Sequence, residues 1–228
     1  MAESYGIDLY WLPLGAGGHS VRLNGWVYEA LVATMQRRKR YDLYHSALEV
    51  TTPDGTFVIE MAPIPDRDGA ERGVVAEGPV GSGLARRLRI FRYEVRRWRG
   101  GTIPDVSEAV DSPRHLSSDP VVALRLLALV PQVPTLVWGR DESQAHDMWN
   151  SNSLISWLLA RAGLDVGAVH PPPGGRAPGW QAGLAEAHRG GRGESRSRIS
   201  AAGYRPDFLG NRTTVSSKRT RLHRPPAA

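Results

Sequence analysis

The segment that most restricts the fold is residues 43–62. Two runs of alternating character, 43–51 and 56–62, flank Pro53-Asp54-Gly55. Proline presets φ for a turn and glycine accepts a positive φ, so this tripeptide closes a hairpin. Side chains alternate across a strand. Tyr44, Ser46, Leu48 and Val50 therefore share one face, and Leu43, His45, Ala47 and Glu49 share the other. Pairing with Phe57, Ile59 and Met61 against Val58, Glu60 and Ala62 puts His45 and Glu60 on the same face. Ala47 and Ala62 also lie there, and their small side chains predict that another element approaches that face.

Other segments follow the same logic. Residues 9–14 read as a strand ended by Gly15-Ala16-Gly17-Gly18. Asn24-Gly25 marks a second hairpin, and residues 29–39 a helix with a basic end at Arg37-Arg38-Lys39-Arg40. Strands are expected at 73–77, 88–98 and 135–138. The arginines of 88–98 read as a solvated strand face that blunts a sheet edge. Asp119-Pro120 opens a helix that Pro131 stops, and its paucity of charge predicts that it is mostly buried. A further helix runs from Ser151 to Gly163. Pro171-Pro172-Pro173-Gly174-Gly175 reads as irregular. The fold class is therefore α+β, a mainly antiparallel sheet packed by helices.

Composition divides the chain in two. From His188 onward there are ten Lys/Arg and two Asp/Glu, a net +8, against a net −2 for the rest. The expected organisation is a globular domain over 1–187 and a disordered basic tail over 188–228. Weak, non-specific contact with nucleic acid is expected to belong to that tail. With no cysteine, disulfides, thiolate metal sites and a cysteine nucleophile are excluded. No apolar run suits a membrane helix, and the N-terminal residues lack the basic and apolar blocks of a signal peptide, so a cytoplasmic protein is expected.

Three motifs bear on chemistry. Gly15–Ser20 lacks the Gly-Lys-Ser/Thr ending of a phosphate loop and reads as a turn. His146-Asp147, with Asp141 and Glu142, carries ligand-type side chains, but this is loop chemistry common without a metal. No metal or cofactor is expected. The third is Asn150-Ser151-Asn152-Ser153 at a helix start. Asn and Ser are preferred N-cap residues, which is a sufficient structural reason for them.

The same four residues resemble the Asn-Cys-Asn-Ser/Thr-Phe motif of circularly permuted papain-like enzymes, a group that includes NlpC-like peptidases and lecithin retinol acyltransferase-like enzymes. The order of elements is similar over residues 40–165, and the specific likeness covers about ten residues. The chain as a whole also resembles a family of actinobacterial proteins with no assigned activity. The papain-like resemblance implies Ser151 as nucleophile in place of cysteine, His45 as base and Glu60 as the residue orienting it. It implies a hydrolase or amidase acting on an amide or ester of a small molecule or peptide. A serine in that position depends on a well-placed base far more than a cysteine does. The alternative within the same fold is a catalytically inactive domain that binds a ligand in the old cleft.

Overall fold

The computed structural model describes residues 4–14, 42–63, 73–81 and 92–202, with side chains to 191. The expectations for 15–20, the 24–25 hairpin, the 29–39 helix and the tail beyond 202 lie outside these residues. Strands β1 (Gly6–Pro13), β2 (Asp42–Thr52), β3 (Gly55–Pro63), β4 (Val74–Pro79), β5 (Arg92–Arg99) and β6 (Val110–Ser117) form one sheet in the order β4-β5-β3-β2-β1-β6. The pairs along this path are antiparallel. A short β7 (Gly175–Arg176) adds to β2 in parallel. The described helices are α1 (Pro120–Leu129), α2 (Ser151–Ala162) and α3 (Trp180–Ala202). The architecture is α+β, and no described helix is long and apolar enough to cross a membrane.

The hairpin forms as its turn chemistry requires, with Gly55 at φ 125° and Leu48 opposite Ile59. Tyr44, Leu48 and Val50 point into the main core with Ile7, Leu9, Trp11, Ile59, Met61, Tyr93 and Val95. Residues of all three helices, such as Leu126, Leu154, Leu158 and Trp180, close that core from the same side. The opposite face carries a smaller cluster of Leu12, Ala47, Val58 and Ile103. Burial on both faces explains why β2 is buried at both odd and even positions.

β5 overturns its sequence reading. It lies inside the sheet between β4 and β3, and it is not an edge. Arg96 is 5% exposed and donates to Glu60 at 2.7 Å and to Glu94 at 3.0 Å, so its charge is neutralised between two buried carboxylates. The strand expected at 135–138 reduces to bridges at Trp138 with Val80 and Trp149. β6 was not expected at all. Helix α3 continues to Ala202, so the boundary drawn at 188 falls inside a helix. Helix α1 starts as anticipated, with the Asp119 carboxylate accepting from the Val121 amide. Its outer face is not buried, however: Val121 is 61% and Leu124 50% exposed.

Candidate functional site

The segment Asp147–Ser156 is the most polar part of the core, and nearly every polar atom in it has a structural partner. Asn150 caps α2 through a reciprocal box with Ser153. Asn150 Nδ2 also donates to the Pro178 carbonyl at 2.8 Å. Asn152 is fully used: its Nδ2 donates to the carbonyls of Tyr44 and Pro178, and its Oδ1 accepts from Ser46 Oγ at 2.8 Å. Ser153 Oγ donates to Gly179 O at 2.7 Å and Ser156 Oγ to Trp180 O at 2.8 Å. The Asp147 carboxylate accepts the amides of Met148, Gly179 and Gln181, and burial raises its pKa above the usual range despite those bonds. These contacts clamp the start of α3 onto the start of α2. The carboxylates considered as metal ligands are spent in the same way. Asp141 accepts from Ala145 and His146, and Glu142 from Val137. Among the described residues no cluster of three His, Cys, Asp or Glu is arranged to hold a metal ion.

Ser151 begins α2 and is buried. The first turn of α2 contacts β2 through Ser46 and the Tyr44 carbonyl. Ser46 side-chain bonding fixes the helix-facing side of β2. His45 alternates to the other side, opposite Leu12 and next to Ala47. Burial drives the His45 pKa from 6.5 down to about 4, with only partial relief from the Asp105 charge, so the ring is neutral near pH 7. Glu60 does share that face, as the hairpin pattern implied, but its carboxylate is held by Arg96 at 2.7 Å. The arrangement expected from Ser151, His45 and Glu60 is therefore not assembled. Ala47 and Ala62 did not attract the helix; Ser46, equally small, is what lets Asn152 approach β2.

A different constellation stands at the junction of β6 and α1. His115 lies opposite Asp8 in the β1–β6 pairing, and its Nδ1 is 2.9 Å from Asp8 Oδ1. Its Nε2 is 2.8 Å from Ser118 Oγ. A carboxylate only accepts, so in the neutral ring the proton sits on Nδ1 and Nε2 is left to accept from the serine hydroxyl. This is the tautomer and order of contacts that a serine nucleophile, its base and an orienting carboxylate require.

Local structure explains the placement. Asp8 pairs with His115 while Ile7 pairs with Ser117, so Leu116 is an extra residue, a bulge that turns the end of β6. Ser117 Oγ then accepts from the Asp119 amide at 3.1 Å, and Asp119 caps α1. Ser118 is held between a bulged strand and a helix N-terminus. Pro120 has no amide and Asp119 takes those of Val121 and Ala123, which leaves the Val122 amide outside the cap. The His115 and Asp8 side chains are 54% and 24% exposed, so the group is open to solvent. Sequence reasoning missed it. His115 and Ser118 are close in the chain, but Asp8 is 107 residues away and is aligned only by strand register.

No protein-family model, curated protein or solved structure matches this chain.

Proposed function

We propose that this protein is a serine-dependent hydrolase of esters or activated amides, acting through Ser118, His115 and Asp8. The observation that supports this reading is the continuous hydrogen-bonded series Asp8 Oδ1, His115 Nδ1, His115 Nε2, Ser118 Oγ at 2.9 and 2.8 Å. It keeps the reaction class expected from the sequence and moves the nucleophile, because His45 projects from the face of β2 opposite to the one that the Ser151 helix packs on.

In this mechanism the Ser118 hydroxyl proton passes to His115 Nε2 as Oγ attacks the substrate carbonyl carbon. The carbonyl π pair moves to oxygen, and the Val122 amide, which the Asp119 cap leaves unused, is the donor that the start of α1 offers to that charge. Collapse of the tetrahedral species breaks the bond to the leaving group, which takes the proton from His115. Water then adds to the acyl-serine with His115 again accepting its proton. The second collapse releases the carboxylic acid and restores Ser118. Asp8 holds the ring and stabilises the imidazolium without itself taking a proton. Loss of the base costs ~10²–10⁴ in rate in such systems. Hydrolysis of p-nitrophenyl butyrate by the full chain, compared with Ser118→Ala, His115→Gln and Asp8→Asn, tests this. The reading requires all three to fall to near background while Ser151→Ala retains wild-type turnover; unchanged turnover in Ser118→Ala would remove it.

A further inference from the structure

The exposed face of α1 begins one turn beyond Ser118. Val121, Leu124 and Ala128 fall at helical spacing on that face and are all exposed, Val121 at 61% and Leu124 at 50%. A short helix on a folded domain usually turns its apolar residues inward, and α1 does so with Ala123, Leu126, Leu127 and Leu129. Its outer side is nevertheless apolar. Arg125 is also exposed on this side, and its guanidinium donates to the Ala162 carbonyl, which draws the charged end of the side chain toward the end of α2. From Val121 to Ala128 the stripe is about 10 Å long at ~1.5 Å per residue. Its near end adjoins the exposed Ser118, and the Asp119 carboxylate at the same end disfavours an anionic substrate.

We infer that this stripe is the acyl-binding surface of the hydrolase, and that its substrates are neutral esters with an aliphatic acyl chain of medium length. The inference rests on Ser118 being the nucleophile. With the acyl carbonyl at Ser118 Oγ, a chain laid along α1 covers Val121 first and Leu124 next. Each is removed from water by contact on one side only, so the gain per methylene is a fraction of that in a closed pocket.

The test is a series of p-nitrophenyl esters, acetyl, butyryl and octanoyl, kept below their aggregation concentrations and assayed with the full chain. The expected result is a kcat/KM that rises with chain length, by roughly three- to tenfold from acetyl to octanoyl. The octanoyl-to-acetyl ratio should fall toward one in Val121→Ser and Leu124→Ser. It should be unchanged in Val106→Ser, an exposed residue on a different segment. Both stripe substitutions are at exposed positions, and circular dichroism reports whether each variant is folded. A flat chain-length profile from an enzyme whose turnover needs Ser118 would overturn the acyl surface and leave the nucleophile standing. Absence of Ser118-dependent turnover at every chain length would remove both.

Discussion

His45 makes a quantitative link between the fold and pH. It projects from β2 beside Leu12 and Ala47, and burial lowers its pKa from 6.5 to about 4. Above pH 6.5 the ring is neutral in both the folded and unfolded chain, and no penalty arises. Between 6.5 and 4 the unfolded chain binds the proton and the folded one does not, so stability falls as pH falls. Below about 4 both states are protonated and the loss levels off. At about 1.36 kcal/mol per pH unit the full interval corresponds to ~3 kcal/mol. Partial exposure of the ring reduces this to about 2–3 kcal/mol, still a large share of the ~5–15 kcal/mol that holds a typical domain. The assay is urea unfolding at pH 7.5, 5.5 and 4.0 for wild type and His45→Leu. Carboxylates titrate in both proteins, so the difference between the two isolates His45. Wild type should lose about 2–3 kcal/mol more than the variant on going from pH 7.5 to 4.0. Equal losses would refute the burial argument, and a wild type that gained stability at low pH would mean that His45 binds its proton more tightly when folded.

Other outcomes follow from contacts already described. Arg96→Met leaves Glu60 and Glu94 buried without their common partner, and unfolding should show a loss of ~3–5 kcal/mol. Gly183 faces α2 so closely that an added Cβ would lie 2.1 Å from Ser153 O and Ser156 Oγ. Gly183→Ala should therefore cost ~1–3 kcal/mol by forcing the helices apart. Gly190, in the same helix, meets only the end of Arg161 at 3.5 Å, and Gly190→Ala should be neutral or stabilising by up to ~1 kcal/mol. Asp147→Asn keeps one acceptor oxygen but turns an NH2 donor toward the amide of either Gly179 or Gln181, and thermal unfolding should report a loss of ~1–3 kcal/mol with Ser118-dependent turnover kept.

The parts of the fold legible in the sequence are those set by local chemistry. Pro53-Asp54-Gly55 closes the hairpin, Asp119-Pro120 starts α1, and Asn150 with Gly163 brackets α2. β6 was illegible because Asp111, Ser112, Pro113, Arg114 and His115 have little strand propensity; its pairing is supplied by β1. Helix α3 was hidden because Ala182, Leu184 and Ala187 are interrupted by Gly183, whose absent side chain is what the contact with α2 needs. The direction of helix packing was misjudged at β2, where small residues occur on both faces and only the Ser46–Asn152 hydrogen bond decides between them. The Asn150–Ser153 motif was found, but capping and interhelix bonds use the side chains of Asn150, Asn152 and Ser153, so those three have a structural cause. The Ser118 group depends on a bulge at Leu116 and on strand register, neither of which a single sequence displays.

The most direct measurement is covalent labelling of the full chain with a fluorophosphonate, followed by intact-mass analysis and peptide mapping. The account predicts one adduct on the peptide carrying Ser118, abolished in Ser118→Ala and strongly slowed in His115→Gln, with none on Ser151. A modified Ser151, or an unlabelled protein whose circular dichroism shows it folded, would contradict it.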